Sequence, residues 1–279
     1  FRDPYGFRPM SWGKLEDSTI AVASETCALD ILDARYVENV NPGEIIIVNE
    51  RGIKHIEHDL KEYRNTETNR HCIFEHIYFS RPDSFDFNED VYQVRQRIGE
   101  LLAKADDDIH PDLIVPVPDS SNFIAHGYAN FKKMPVTYGL IRNHYVGRTF
   151  IKPEQKIRDE SARQKFNTLA HLFKDKVVVL IDDSIVRGTT IRSIIKLIID
   201  AGAKEVHLRI GSPQVKFPCY YGIDTPTKEE LIANVKTSQE ICDYLNIQSL
   251  KHIEIDRLRK SVSKPDNYCY ACFDGKYPI

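Results

Sequence analysis

Two adjacent carboxylates, several hydroxyl groups and a glycine lie together between residues 182 and 190, where the sequence reads DDSIVRGTT. An apolar run at 177–181 precedes them, and in open α/β sheets ligands bind at the carboxyl ends of strands. Adjacent carboxylates can accept hydrogen bonds from sugar hydroxyls or bind Mg²⁺. Backbone N–H groups around Gly188, at a helix start, can hold a phosphate. An Asp pair alone more often begins a loop or caps a helix. The whole segment instead favours a site for a phosphorylated sugar.

The elements that must position this segment form an alternating pattern of strands and helices. The strand at 177–181 leads into an isoleucine stripe with helical spacing, which Gly202 ends as a C-cap before a strand at 205–210. A short buried strand is predicted at 112–117, and an amphipathic helix begins at Val91. Strand, helix and strand within about 35 residues form a βαβ unit, which predicts a parallel sheet covered by helices.

The flanking regions have a different character. Residues 1–70 are β-rich, with a hairpin turn predicted at 49–52 and a polar stretch at 61–70. Two capping-box patterns, at 227–230 and 237–240, predict the starts of two late helices.

Composition excludes several classes of protein. The chain has 279 residues, 38 Lys+Arg against 41 Asp+Glu and a net charge of -3, which argues against nucleic-acid binding through a broadly basic surface. Apolar runs are too short to span a membrane, and no signal peptide opens the chain, so we expect a soluble, cytoplasmic protein. Six cysteines are too few for a disulfide scaffold and indicate a reducing compartment. Because strand-like sequence begins by Ile20, we also expect that an upstream piece precedes Phe1.

At this point the sequence resembles a known family. The DDSIVRGTT segment is similar to the phosphoribosyl-pyrophosphate (PRPP) signature of type I phosphoribosyltransferases, in the form found in the amidophosphoribosyltransferases, glutamine-dependent enzymes of purine synthesis. Further segments resembling the same family are RDPYGFRP (2–9), SETCALD (24–30), NPGEIIIVNE (41–50), YFSRPDS (78–84), VPVPDSS (115–121), GLIRNHYVGRTFI (139–151) and YGIDTPTKEEL (221–231).

The resemblance implies a domain organisation. Residues 1–70 would be the C-terminal part of an N-terminal-nucleophile glutaminase domain, residues 71–265 a type I phosphoribosyltransferase domain with a parallel sheet and flanking helices, and residues 266–279 a cysteine-containing tail. The family's nucleophilic N-terminal cysteine has no counterpart here, so the chain as written should not hydrolyse glutamine. Cys27 lies in a β-rich stretch without a terminal amine to act as base, and we interpret it as a core residue.

The resemblance also assigns roles in the transferase site. Asp182 and Asp183 would contact the ribose hydroxyls of PRPP and the bound Mg²⁺, and Ser120 would lie beside the metal and the pyrophosphate. The 5′-phosphate would be held by Ser184, Val186, Arg187, Gly188, Thr189 and Thr190. A lid at 143–165 would bring Arg148 and Lys165 to the leaving pyrophosphate, although either residue is equally well explained as part of a solvated basic loop.

Four cysteines suggest a metal site. Cys269 and Cys272 form a CxxC pair, and Cys72 and Cys219 lie in segments that match the family. The resemblance implies the branch in which four such cysteines hold a [4Fe-4S] cluster. The residues alone allow any four-thiolate site, including one for Zn²⁺. A redox CxxC is a third possibility. It is disfavoured because we expect the motif to lie in a tail and not at a strand–helix junction. Cys242 is predicted to be plain core.

Three functions remain in competition. The first is an amidophosphoribosyltransferase, a pentosyltransferase that makes 5-phosphoribosylamine and pyrophosphate from PRPP and ammonia, with glutamine supplying the ammonia in the intact enzyme, in the first step of purine (IMP) synthesis. The second is a salvage transferase that joins a base to PRPP. The third is a PRPP-sensing regulator without catalysis. The family resemblance favours the first and implies a homo-oligomer.

Overall fold

The computed structural model of the protein describes residues 1–57, 68–106, 109–145 and 165–279. The strands, in chain order, are β1 (Ser11–Lys14), β2 (Ile20–Ala23), β3 (Arg35–Asn39), β4 (Ile45–Asn49), β5 (Gly52–Ile56), β6 (His71–Cys72), β7 (Phe85–Asp86), β8 (Glu89–Asp90), β9 (Leu113–Pro116), β10 (Leu140–Arg142), β11 (Phe166–Thr168), β12 (Val177–Asp182), β13 (Glu205–Ile210), β14 (Ser249–His252) and β15 (Tyr268–Cys269). The α-helices are α1 (Thr26–Ile31), α2 (Val91–Ala103), α3 (Asn122–Lys132), α4 (Ala170–Phe173), α5 (Thr189–Asp200), α6 (Ile232–Val235), α7 (Ser238–Leu245), α8 (Ile255–Arg259) and α9 (Ala271–Asp274).

The described residues form two compact units. The first contains Phe1–Val94, Cys219–Ile223 and Val262–Ile279, and the second contains Arg95–Pro218 and Asp224–Ser261. The domain boundary predicted near residue 70 adjoins residues 58–67, which lie outside the described residues, and it stays a prediction.

A four-stranded parallel sheet forms the centre of the second unit. Its strand order is β14-β13-β12-β9, and Asp182, Ile210 and His252 occupy one row of registered positions across three neighbouring strands. The apolar side chains of β12 pack with those of α5 and α7 in one buried core. On the opposite face, the buried Arg209 guanidinium binds Asp106, which also accepts a hydrogen bond from Tyr128 of α3. These observations confirm the predicted parallel sheet with helices on both faces.

The βαβ unit β12–α5–β13 carries the sequence signature. Gly188, at the N-cap of α5, has a φ of 78°, which glycine adopts without strain, and Gly202 follows α5 with a φ of 94°. The predicted helix end at Gly202 is therefore confirmed.

The first unit is largely antiparallel, and its β4–β5 hairpin turns between Asn49 and Gly52, as the sequence predicts. Strands β2, β1 and β3 form an antiparallel sheet. Cys27 is buried, as expected, but it lies on the short helix α1 and not in a strand. Strands β6 and β15 pair in parallel and bring Cys72 opposite Cys269.

One predicted helix start is wrong in detail. The capping box at Thr237 opens α7, but the one at Thr227 opens only a 3₁₀ turn, Lys228–Glu230. Leu231 then takes an extended conformation, which stops the turn from continuing as a longer helix. Within the described ranges, no helix is long and apolar enough to cross a membrane.

Candidate functional site

The Asp pair lies at the carboxyl end of β12, where the chain leaves the sheet. Asp182 is the last residue of the strand, and its side-chain Oδ1 accepts the backbone N–H of Asp183 at 2.9 Å. Its backbone carbonyl accepts the N–H of Gly211, just beyond β13, also at 2.9 Å. The strand register and these two hydrogen bonds place Asp182 at the carboxyl edge of the parallel sheet, which is where ligands bind in open α/β folds.

Asp183 is buried and receives hydroxyl groups from two directions. Ser184 donates from the next residue at 2.7 Å, and Ser120 donates from the loop after β9, the strand beside β12. The buried guanidinium of Arg95, on α2, also acts on Asp183. The structure thus brings together Ser120, Asp182 and Asp183, and their roles in binding Mg²⁺ stay a prediction.

Both carboxyl groups are held in an environment that disfavours their charge. Burial raises the pKa of Asp182 well above its usual range, and the neighbouring Asp183 raises it further. Burial also raises the pKa of Asp183, while Ser120, Ser184 and Arg95 act in the opposite direction. Two desolvated carboxylates side by side repel each other, so a cation or a set of hydroxyl donors would relieve the unfavourable charge.

The loop from Ser184 to Gly188 contacts the start of α6 at Ile232. The backbone N–H of Ile232 donates to the Val186 carbonyl at 3.0 Å. The φ of 78° at Gly188 would strain any other residue, and a Cβ there would meet Ile232 Cδ1 at 2.7 Å, so the Ile232 side chain would have to shift. Thr189 and Thr190 form the first turn of α5. Backbone N–H groups at this helix start can bind an anion.

Arg187 has a partner that the sequence analysis missed. Its guanidinium forms an ion pair with Glu230, with Nε 3.2 Å from Oε1, and both side chains are about half exposed. Glu230 also accepts the backbone N–H of Thr227 in the capping box. The capping-box pattern was the available signal for Glu230, although it did not reveal the contact with Arg187.

Basic groups lie beside the loop after β9. Arg142, at the end of β10, contacts Asp119 at 2.7 Å, and the backbone N–H of Asn143 donates to the Lys165 carbonyl at 2.7 Å. Burial and the nearby Arg142 lower the pKa of Lys165. Arg148 and most of the predicted lid, at 146–164, lie outside the described residues.

Two of the residues missed by sequence reasoning carry charge close to this site. Arg95 lies four residues after Val91, on the apolar stripe of α2, and a charged residue at such a position is the signal that could have identified it. Arg142 ends a short strand just before the predicted lid, in a segment (139–151) that the sequence analysis cited only for its resemblance to the family.

The four cysteines of the proposed metal site belong to the first unit and converge there. All six cysteines of the chain are free thiols. Burial raises the pKa of Cys272 well above its usual range, with further contributions from Cys72, Cys269 and Cys219. Burial also raises the pKa of Cys269 to about 11 and moves that of Cys72 in the same direction. Thiols that are desolvated and influence one another are more stable as neutral groups, unless a cation binds their deprotonated form.

Two observations qualify the sequence-based expectations for these cysteines. Cys269 ends β15 and Cys272 lies in α9, so the CxxC does span a strand–helix junction, contrary to our expectation. The two-residue pairing of β15 with β6 creates this junction, and so short a strand has no sequence pattern. Within the part of the chain that the structure describes, no three His, Cys, Asp or Glu side chains are close enough to hold one metal ion. Cys242 is core on α7, as predicted.

Comparisons with known proteins agree with this geometry. Residues 88–210 match the family described as phosphoribosyl transferase domain. The chain is 46% identical to "Amidophosphoribosyltransferase, chloroplastic" of Glycine max, over 100% of this chain and 48% of the relative. It is 44% identical to the amidophosphoribosyltransferase of Methanocaldococcus jannaschii, over 99% of this chain and 60% of the relative. The solved glutamine phosphoribosylpyrophosphate (PRPP) amidotransferase from B. subtilis, complexed with ADP and GMP, aligns with a TM-score of 0.86 and 42% identity, over 99% of this chain and 60% of that one.

The parallel sheet and the site at its carboxyl edge therefore belong to a phosphoribosyltransferase domain. Within that class, the chain is a member of the amidophosphoribosyltransferase family. It spans about half the length of several of the curated relatives it matches, and 60% of the M. jannaschii protein.

Proposed function

We propose that the protein transfers the phosphoribosyl group of PRPP to ammonia, releasing pyrophosphate and forming 5-phosphoribosylamine. The observation that carries the proposal is the Asp182–Asp183 pair at the end of β12, bonded to Ser120 from the neighbouring loop and followed by the Gly188 turn into α5. In the intact enzyme, glutamine would supply the ammonia through the part of the relatives that this chain does not span. The relatives' names favour this function over base salvage or PRPP sensing.

The proposed roles follow from charge and position. The carboxylates of Asp182 and Asp183 would accept hydrogen bonds from the ribose hydroxyls and fix the sugar ring. Backbone N–H groups between Ser184 and Thr190, at the start of α5, would hold the 5′-phosphate. Cleavage at ribose carbon 1 leaves positive character on the sugar and negative charge on pyrophosphate, which Lys165 and Arg142 would stabilise. We extend the same role to Arg148 on the strength of the family resemblance.

Mg²⁺ is the implied metal, and the donor set suits it. Hard oxygen ligands are available from Asp182, Asp183 and Ser120. Burial raises the pKa of both carboxyl groups, so a bound cation would stabilise their charged form. When bound with PRPP, Mg²⁺ would neutralise charge that develops on the leaving pyrophosphate.

For Cys72, Cys219, Cys269 and Cys272 we propose a [4Fe-4S] cluster. One tetrahedral Zn²⁺ needs all its sulfur ligands at about 2.3 Å from a single ion. Among the described residues, these thiols influence the pKa of Cys272, but no three of them are close enough to bind one ion. A four-iron cluster, in which each thiolate binds its own iron, fits a wider arrangement. The backbone N–H of Tyr221 donates to Cys219 Sγ at 3.3 Å. Hydrogen bonds to the sulfur atoms are one of the features that tune iron–sulfur clusters.

We also propose a cytoplasmic location and a homo-oligomeric state. The six free cysteines support a reducing compartment. Several relatives carry "chloroplastic" in their names, so localisation by a fluorescent fusion of the full-length protein would decide between the two compartments.

The test of the proposed function is pyrophosphate release from PRPP with Mg²⁺ and three alternative acceptors: ammonium chloride at alkaline pH, glutamine, and adenine or guanine. Free ammonia needs no glutaminase, so we expect pyrophosphate release with ammonium. Release that depends on a purine base would support a salvage enzyme, and PRPP binding without turnover would support a regulator.

A further inference from the structure

Residues 2–9 of the first unit run beside β6, the strand that carries Cys72. The backbone N–H of Cys72 donates to the Phe7 carbonyl at 2.9 Å. One residue earlier, Nδ1 of His71 lies 2.8 Å from the Gly6 carbonyl oxygen. The 2–9 segment therefore holds the backbone of Cys72 by direct hydrogen bonds.

The side chain of Phe7 reaches a second cysteine-bearing segment. Its ring stacks on the ring of Tyr221, with the centroids 4.2 Å apart and the planes inclined by 8°. The backbone N–H of Tyr221 in turn donates to Cys219 Sγ at 3.3 Å. Phe7 thus binds the backbone of Cys72 through its carbonyl, and through its ring it contacts the residue that binds the Cys219 sulfur.

Strand pairing joins the other two cysteines to the same group. Strand β15 pairs in parallel with β6, and Cys269 is the registered partner of Cys72. Cys272 follows in the first turn of α9. Because β6 is also bonded to the 2–9 segment, all four cysteines are connected by contacts that include Phe7.

The order of the chain does not bring Cys72 and Cys219 together, because residues 95–218 of the second unit lie between them in sequence. Both thiols nevertheless act on the pKa of Cys272, so their segments converge. Contacts within the first unit must hold them there, and Phe7 supplies such contacts to both segments. Residues that support metal ligands from outside the ligand set strongly affect how tightly a metal is held.

We propose that Phe7 is a positioning residue for the iron–sulfur site, where it fixes the segments of Cys72 and Cys219 relative to each other. The inference rests on the [4Fe-4S] cluster proposed above and adds a residue outside its ligand set. Because coupling between two binding events is reciprocal, a bound cluster stabilises the 2–9 segment in return. This segment belongs to the part of the chain that resembles a glutaminase domain, so the cluster and that part stabilise each other.

The test is the rate at which a chelator removes iron from anaerobically purified protein, followed by the loss of the visible absorbance of the cluster. Phe7→Leu and Tyr221→Leu each remove one ring of the stacked pair, so iron should leave about three- to tenfold faster than from wild type. Tyr221→Phe keeps the ring and loses only the hydroxyl that bonds to Ile279, so it should release iron at close to the wild-type rate.

The double variant Phe7→Leu/Tyr221→Leu completes a mutant cycle. If the two rings act through each other, it should release iron no more than about twofold faster than either single variant. Since Tyr221 is partly exposed, Tyr221→Leu also tests the contact if Phe7→Leu does not fold.

Two further measurements separate positioning from general packing. Phe173→Leu removes a fully buried ring from the second unit and should leave the rate of iron release unchanged, whatever it does to stability. Backbone amide exchange in the 2–9 segment of wild type should be several-fold slower with iron bound than after its removal, because the coupling is reciprocal.

The outcomes distinguish the cluster from the role of Phe7. A wild-type protein without iron would overturn the cluster, and this inference with it. Iron in the wild type, with unchanged release from folded Phe7→Leu and Tyr221→Leu, would overturn the role of Phe7 alone. Additive effects in the double variant, or equally fast release from Phe173→Leu, would also overturn that role, because a general loss of packing would then explain the change.

Discussion

Replacing Asp182 by Asn should stabilise the protein while abolishing transfer. Burial and Asp183 raise the pKa of Asp182, so its charged form opposes folding. At an effective dielectric constant of about 20, two unit charges about 5 Å apart repel by roughly 3 kcal/mol. Asn keeps the oxygen that accepts the Asp183 N–H and removes the charge. Allowing for partial exposure of Asp182, we expect Asp182→Asn to gain about 1–2 kcal/mol at pH 7, a rise in Tm of roughly 2–8 °C.

The sign of the pH dependence makes this prediction specific. A carboxyl whose folded-state pKa is raised binds more protons in the folded state, so wild-type stability falls as pH rises from the unfolded pKa of about 4 toward the folded value. The gain from Asp182→Asn should therefore vanish near pH 4 and grow toward neutral pH.

The assay is thermal and urea unfolding of both proteins without Mg²⁺ or PRPP, between pH 4 and pH 8. Asp200→Asn is the control, since this exposed carboxylate pairs with Lys196 at 3.1 Å and should change stability by less than about 1 kcal/mol. Equal or lower stability of Asp182→Asn at pH 8, or a gain that is largest at pH 4, would refute the reasoning about charge at this site.

Three further predictions concern the loop from Ser184 to Gly188 and the cysteines. Glu230→Gln should raise the KM for PRPP a few-fold with little change in kcat, because Arg187 loses its partner. Gly188→Ala should destabilise the protein by about 1–3 kcal/mol, measured by urea unfolding, since it combines a positive φ with a contact to Ile232. Cys72→Ser should abolish bound iron and acid-labile sulfide in anaerobically purified protein, whereas Cys242→Ser should retain both; zinc in the wild type instead would contradict the cluster.

Much of the transferase half is predictable from its sequence because local signals agree there. The apolar run of β12, the isoleucine stripe of α5 and the glycine at its end each favour the structure that forms. The DDSIVRGTT segment then places its polar groups at the carboxyl edge of the sheet by topology alone.

The other features of the site depend on contacts between residues far apart in the chain, which the spacing of residues in the sequence does not reveal. Ser120 and Asp183 meet only because β9 and β12 are neighbouring strands. Arg95 acts on Asp183 from α2, a helix that the sequence predicts from its apolar stripe without any role for Arg95. The strand–helix junction at Cys269 was missed because a two-residue strand has no periodicity.

The most direct measurement of the central claim is the initial rate of pyrophosphate release from PRPP with ammonium and Mg²⁺, for wild type and for Asp182→Asn/Asp183→Asn. Stability of the double variant is checked by unfolding in the same buffer. We predict ammonium-dependent release in the wild type and a loss of at least about 100-fold in the folded double variant, since the proposed function assigns both carboxylates to the reacting sugar. Undiminished release in the double variant would contradict the assignment of the reaction to the carboxyl end of β12.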